Sequence, residues 1–440
     1  MIEQAELNKL GQVKQLVRYC LTVRTCKSKM IDHRTAWPFL MKIVRIDCHV
    51  LLDPGYDVGS TSSSQDDIIV EIHTDEGITG IGETDVNPWM ARACIQAPGT
   101  HTMGLGLSEM LIGEDPLHPE QLWEKLYVGS AMNGRRGLVI HAMGALDMAL
   151  HDLRGKALGK PCHELLGGAV KKTIKPYASL QPEVSSFSAY RTSIVAWAVK
   201  AKAMGFRAAK IEVTPTGPYA HKGLKASHEE MTEVIGEVRS AVGPDFTLMV
   251  DVQYAFPDAD TCLKAIRSWV DFDLFFIETP LPSDDLDGYA RLSAEQPIPI
   301  AAGEWLATRF EFLELMDRGK VRVVQPDVGR VGGFTEAKRV CNLAEKRNLT
   351  IVPHLWKTGI SIAAAAHLAA TTPNCAFIEF LPGALCESSL RRELVTTELE
   401  MIDGEIPLPR RPGLGIELNR EALERFKREA DEIGSTVTVG

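Results

Sequence analysis

Between Thr173 and Phe380 short apolar runs alternate with amphipathic stretches. Runs readable as strands lie at Ile174–Leu180, Ala208–Val213, Thr247–Val252, Leu274–Glu278, Ile298–Ala302, Val321–Val324, Thr350–Val352 and Ala376–Glu379. Helix-period segments separate them. Six runs end on a charged or imidazole side chain: Leu-Met-Val-Asp251, Phe-Phe-Ile-Glu278, Ala-Ala-Gly-Glu304, Val-Gln-Pro-Asp327, Ile-Val-Pro-His354 and Phe-Ile-Glu379. The endings recur at roughly 25 residues, the length of a strand plus a returning helix in a (β/α) barrel, where chemistry collects at the strand C-termini. The pattern predicts a closed parallel barrel rather than an open doubly wound sheet. No Gly-x-Gly-x-x-Gly follows a strand, so the usual sign of dinucleotide binding is missing.

Upstream the order changes to strands first and helices after, which predicts a small α+β domain over 41–168, with the barrel over 169–385 and a C-terminal segment over 386–440. A period-2 strand starts at Met41. Asp66–His73 and Gly80–Glu83 flank Asp75-Glu-Gly77, a hairpin whose glycine suits positive φ. Helical periods run through Pro119–Tyr127 and Val139–Leu158, and Gly159 and Pro161 end the second. The polar Asp53–Gln65 loop reads as a plain solvated connection. Residues 1–40 are mildly basic, show no clear period and are expected to be an extension.

Composition narrows the class. In 440 residues, 45% hydrophobic and 24% charged, there is room for a large core and no sign of disorder. A net charge of −10 without a basic cluster argues against a nucleic-acid partner. Nothing has the length to cross a bilayer and no signal-peptide pattern follows the N-terminus, so a cytoplasmic location and no membrane partner are expected. Nine cysteines without a Cys-x-x-Cys pair suggest reduced, buried thiols.

Asp251, Glu278 and Glu304 close three consecutive strands and should be neighbours at the mouth. Three such carboxylates repel unless a cation lies among them, and an all-oxygen set suits Mg²⁺. Capping of the following helices is the plainer explanation for any one of them. Asp327 and His354 close the next two strands. A carboxylate on one ring nitrogen fixes the tautomer and raises the basicity of the other, which makes a general base. Lys210 and Glu212 share a face of the second strand, and an internal salt bridge is the competing reading. Glu379 is expected to donate a proton or hydrogen bond to a developing oxyanion if its neighbours keep it protonated.

These residues resemble the enolase superfamily and, within it, the mandelate racemase-like subgroup. Ala142-Met-Gly-Ala-Leu-Asp-Met-Ala-Leu-His-Asp-Leu-Arg-Gly-Lys156, with Pro161 and Leu165-Leu-Gly167, is similar to that family's cap signature. Gln325-Pro-Asp-Val-Gly-Arg-Val-Gly-Gly333 and Pro353-His354 are similar to its sixth- and seventh-strand motifs. The resemblance covers about Met41 to Phe426. It implies an α+β cap over a modified (β/α)₇β barrel, a tail returning to the cap and a homo-oligomer. It also implies Mg²⁺ held by Asp251, Glu278 and Glu304, an Asp327–His354 base dyad, and removal of the α-proton of a carboxylate substrate to give an enediolate.

The chain departs from the family at Glu212, where a second lysine is common, at Gln253 for Asn, and at Glu278-Thr-Pro for Glu-Glu-Pro. A racemase needs a base on each face of the α-carbon, whereas a dehydratase needs one base and an acid. The expectation is therefore dehydration of a sugar acid to a 2-keto-3-deoxy acid, with Lys210, Asp327, His354 and Glu379 catalytic and Tyr56, Glu212, Gln253 and Trp356 binding substrate. Racemisation or epimerisation, and a non-catalytic metal-binding homologue, are the alternatives. Substrate determinants are expected in the Asp53–Gln65 loop, in Tyr127–Leu138, after Glu212, and at Trp305 or Trp356.

Overall fold

The computed structural model describes residues 41–436 apart from 61, 182–184, 222–223 and 225. The expected extension over 1–40 lies outside the described residues. Three antiparallel strands come first, in the order β1 (Ile43–Leu52), β2 (Asp66–Thr74), β3 (Thr79–Thr84). Gly77 takes φ 76° in the β2–β3 turn, as its sequence position predicts.

The helix Leu138–Leu158 crosses this sheet and is buried along nearly its whole length. It is apolar all round because it packs on β3 on one side and on the helices Val328–Val331 and Gly333–Glu345 on the other. A Cβ on Gly82 would lie 2.1 Å from the carbonyl oxygen of Ala145, so glycine there sets how closely the helix can approach. Gly159 ends the helix in the left-handed region, φ 65°. Buried Asp152 accepts from the amides of Ile81 and Leu414 and from the Lys156 ammonium, which ties sheet, helix and C-terminal segment at one carboxylate.

The second sheet has eight parallel strands: β5 (Pro176–Leu180), β6 (Ala208–Glu212), β7 (Thr247–Asp251), β8 (Leu274–Glu278), β9 (Ile300–Ala302), β10 (Val323–Val324), β11 (Thr350–Ile351) and β12 (Ile378–Phe380), with β12 beside β5. A parallel bridge between Ile351 and Cys375 joins the two ends of the row. Among the described residues helices fill all seven intervals between the eight strands, from Phe187–Ala203 to Gly359–Ala370, with two, Val328–Val331 and Gly333–Glu345, between β10 and β11. This is the modified (β/α)₇β barrel with an α+β cap. Tyr177, Ala208, Met249, Phe276, Ala301, Val323 and Val352 form an apolar plug inside it. Moving up by twos from the plug, strand alternation turns Ser179, Lys210, Asp251 and Glu278 to the same side.

Two strand readings need correction. The first run is two strands: β4 (Thr173–Ile174) pairs antiparallel with β13 (Ile406–Pro407) from the C-terminal segment, while β5 joins the barrel. Three later runs are shorter than predicted: β9 starts at Ile300 and β10 at Val323, each two residues late, and β11 ends at Ile351, one residue early. Beyond these strands Gly303 turns at φ 125° and Pro326 and Pro353 have no N–H for the ladder. Glu304, Asp327 and His354 therefore sit on loops just past their strands. The cysteine expectation is met in part: Cys162, Cys262, Cys341 and Cys375 are buried, whereas Cys48, Cys94 and Cys386 are half-buried, and these seven are unpaired, while Cys20 and Cys26 lie outside the described residues. Among the described residues no helix is long and apolar enough to cross a membrane.

Gly82→Ala tests the close approach. It should cost about 1–3 kcal/mol, since a methyl group forced into packed structure shifts backbone. Urea unfolding of the variant beside the parent measures it, and unchanged stability would mean that the helix can move away freely.

Candidate active site

Strand alternation and the loops just past the strands bring the predicted groups to one mouth, around a cavity of about 210 Å³. Ser179, Lys210, Glu212, Asp251, Gln253, Glu304, His354 and Trp356 all line it. Glu278 and Glu379 lie beneath, fully buried. The backbone here is strained: Gln253, Tyr254 and Thr279 have φ of 41°, 59° and 43°. For a β-branched threonine this is costly, and such strain collects at functional sites. It has a local purpose, since the Gln253 amide and the Thr279 hydroxyl both donate to Asp251 Oδ1, at 2.9 and 3.1 Å.

Asp327 and His354 form the expected pair, Oδ2 to Nδ1 at 2.8 Å. The other Asp327 oxygen accepts from the amides of Gly329 and Arg330 at 2.8 and 3.1 Å, which fixes the carboxylate at the start of a short helix. His354 Nε2 is 3.1 Å from Glu304 Oε2 and 4.0 Å from Glu379 Oε2. Burial lowers the pKa of His354, but Glu379, Glu304 and the Asp327 hydrogen bond outweigh it and push the imidazole up to about 9.

Lys210 Nζ donates to Glu278 Oε1 at 2.7 Å and lies 2.9 Å from Glu379 Oε1 and 3.6 Å from Asp251 Oδ2. Burial works against its charge, yet Glu278 and Glu379 hold the ammonium pKa well above the ordinary lysine value. Glu379 does not fit the role of a protonated donor. It accepts from Ser179 Oγ at 2.6 Å and the Leu355 amide at 2.9 Å. Burial raises its pKa, but Lys210 and His354 prevail and lower it, so Glu379 is an ionised acceptor.

The three candidate cation ligands present only oxygen donors. Burial, then repulsion by Glu278, raises the pKa of Asp251 well above the carboxylate range, and burial also raises that of Glu278. A hard divalent cation relieves that repulsion, so the donor chemistry fits Mg²⁺. Among the described residues, however, no three acidic, imidazole or thiolate groups are already gathered at ligating spacing. Glu278 gives one oxygen to Lys210 and accepts from Gln325 Nε2 on the other at 2.6 Å, and those bonds would have to yield.

Tyr56 does not join the site. It lines a separate surface hollow with Val58, Val86 and Trp89, because the turn at Asp53–Tyr56 directs it outward. The Asp53–Gln65 loop is a wall rather than the plain connection expected: Asp53 Oδ2 accepts from the Ser389 amide and hydroxyl, both at 2.7 Å, and Trp356 Nε1 donates to Ser62 at 3.1 Å. Trp305 stacks on Tyr254 at 4.1 Å and meets the edge of Tyr219 at 5.1 Å, closing the far wall. Residues 127–138 do not line this cavity.

Sequence reasoning gave no role to Arg330, Asp85 or Lys357. Arg330 lines the cavity, donates to the Glu304 carbonyl at 3.3 Å and pairs with Asp85, which Lys357 also meets at 3.2 Å. Burial raises the pKa of Asp85, but Arg330 and Lys357 reverse the shift and hold it below the usual range. Asp85 lies 245 residues from Arg330, a pairing that no local pattern signals.

Two family models match: "Mandelate racemase / muconate lactonizing enzyme, N-terminal domain" over residues 46–167 and "Enolase C-terminal domain-like" over 193–422. The D-galactarolactone cycloisomerase of Agrobacterium fabrum is 32% identical over 396 residues, 88% of this chain and 99% of that protein. The arabinonate dehydratase of Saccharolobus solfataricus is 32% identical, over 82% of this chain and 90% of its own. The crystal structure of the 3,6-anhydro-D-galactonate cycloisomerase from Zobellia galactanivorans superposes with a TM-score of 0.75 at 30% identity, over 88% of this chain and 99% of that one.

Asp85→Asn should cost about 3–5 kcal/mol at neutral pH, because it removes the buried carboxylate paired with Arg330 and leaves Lys357 with Asp66 alone of its two ion-pair partners. With a lowered folded-state pKa, the stabilisation by Asp85 is fully present above the unfolded carboxylate range and is lost as pH falls across the acid range from there through the lower folded-state value. Urea titrations of parent and variant across that range should converge at the acid end, and a pH-independent difference would refute the ion-pair account.

Proposed function

The chain belongs to the mandelate racemase / muconate lactonizing enzyme family of the enolase superfamily, and on that premise we propose that it is a Mg²⁺-dependent dehydratase converting a sugar acid to its 2-keto-3-deoxy acid. The observation that carries this reading is the Asp327–His354 pair, with Nε2 of the imidazole turned into the carboxylate-lined cavity. Asp251, Glu278 and Glu304 would hold Mg²⁺. When bound, the ion supplies positive charge against the substrate carboxylate and against the negative charge that develops on loss of the α-proton.

The protein's own groups then account for the rest. Asp327 holds Nδ1–H of His354. Once the imidazole, raised to about 9, has lost its second proton, Nε2 carries the lone pair that takes the α-proton, so turnover should rise with pH toward that value. The electron pair of that C–H bond becomes the Cα–Cβ double bond as the bond to the β-hydroxyl breaks. His354, now imidazolium, returns its proton to the departing hydroxide in a syn elimination, giving water and an enol that tautomerises to the 2-keto acid. Lys210 contributes positive charge across from the imidazole. Gln253 and Trp356, at the cavity wall, would contact substrate hydroxyls.

Cycloisomerisation is the second reading, favoured by the 32% identity to the D-galactarolactone cycloisomerase. Product mass separates the two, since dehydration removes one water and isomerisation keeps every atom. Incubating a panel of sugar acids and lactones with the Mg²⁺-loaded protein should yield a 2-keto acid lighter by one water. His354→Asn should lower turnover at least about a hundredfold, the scale of a lost general base, with Mg²⁺ affinity nearly unchanged by calorimetry. Undiminished turnover in that variant would sink the dyad assignment, and a product of unchanged mass would favour the second reading.

A further inference from the structure

A second cavity of about 430 Å³ adjoins the first. Ser179, Gln181 and Trp356 wall both, so the two meet there. The outer cavity is polar, with Ser60, Ser64, Gln65 and Glu387 in its lining. At the junction stands a second carboxylate–imidazole pair that the proton-transfer steps leave unused. Glu212 faces the inner cavity, His221 faces the outer one, and Nε2 of the imidazole contacts Glu212 Oε1. Both side chains are buried.

The pair has the form of a hydroxyl-recognition device. Glu212 projects from β6, where its carbonyl accepts from Tyr190 Oη at 2.6 Å, so its backbone is fixed. His221 occupies one carboxylate oxygen, and the other has a long contact of 3.5 Å from Gln181 Nε2. An ionised carboxylate offers about four lone-pair directions, so this oxygen retains acceptor capacity toward the cavity. A hydroxyl placed there would make a charge-assisted hydrogen bond. A purely structural ion pair would need neither cavity.

We propose that the substrate spans both cavities: its carboxylate end lies beside Asp251 and Glu304, and a hydroxyl beyond the reacting carbons bonds to Glu212, which His221 orients. The chain thus takes polyhydroxy acids long enough to pass the Glu212–His221 pair, in preference to hydroxy acids of two or three carbons. This rests on the assignment of the inner cavity in the proposed function. Glu212 is the group that touches substrate, and His221 is a positioning residue.

Calorimetry on the Mg²⁺-loaded His354→Asn protein, which cannot consume its ligand, provides the test. The probes are the six-carbon aldonates, isomer by isomer, and the two glycerate enantiomers. At least one aldonate should bind tenfold or more tighter than glycerate. Adding His221→Ala or Glu212→Gln should each shrink that preference by about tenfold to a hundredfold, the range for a hydrogen bond to a charged group. Combining them should lose no more than the worse single change, because the two act as one unit. Absence of any aldonate preference, equal losses on aldonate and glycerate, or additive losses would each overturn the inference. Turnover by the parent protein is read separately. Dehydration of small acids without aldonate preference would remove this inference alone, whereas His221-dependent aldonate binding with no α-proton loss would remove the proposed function.

Discussion

Lys210 sits beneath the barrel mouth with its ammonium 2.7 Å from Glu278, 2.9 Å from Glu379 and 3.6 Å from Asp251. Burying these carboxylates without positive charge would be prohibitive, since each ion loses hydration worth several kcal/mol. One ammonium neutralises part of that charge and leaves a net negative basin. The basin explains two further features: the imidazole of His354 rises to about 9, and Asp251 is pushed toward its neutral form. A site poised this way favours a divalent cation and then a substrate whose carboxylate that cation can accept.

The basin depends on the parity of the strands and on the cap. Below, the plug around Tyr177, Met249 and Phe276 fixes which residues turn inward, and a one-residue slip would send Lys210 and Asp251 into the surrounding helices. Above, Lys357 donates to the Asp66 carbonyl at 2.7 Å, and Arg330 and Lys357 both pair with Asp85 at the end of β3. Arg330 also lines the candidate active-site cavity, so the ion pairs that seat the cap shape the space proposed for substrate.

Much of this was legible in the sequence for physical reasons. Periods of two and 3.6, broken by Gly77, Gly159 and Pro161, mark elements because backbone geometry leaves few alternatives. The strand-end charges stood out because polar groups ending apolar runs have no packing role. Other features depended on long-range geometry. The Asp53–Gln65 loop reads as polar chain until its contacts with Ser389 and Trp356 are seen, and Tyr56 faces outward for reasons set by a local turn. Glu379 was expected to donate only if its neighbours keep it protonated, and the three donors around it, which the sequence does not reveal, fail that condition.

Glu212 is where the sequence departs from the family at a position bearing on mechanism, and its surroundings give the departure a consistent sense. A base for the second face of an α-carbon needs a free lone pair aimed at that carbon. Glu212 has His221 on one oxygen, and the acceptor capacity left on the other, 3.5 Å from Gln181, lies at the passage to the outer cavity. Lys210, the other group on that face, is a donor with its ammonium between Glu278 and Glu379. Two faces with such different chemistry suit an elimination, in which one imidazole takes the proton and returns it on the same side, better than a racemisation, which needs matched bases across the carbon. On the proposed reading, the replacement of an amine by a carboxylate moves β6 from proton transfer toward reading the far end of the substrate.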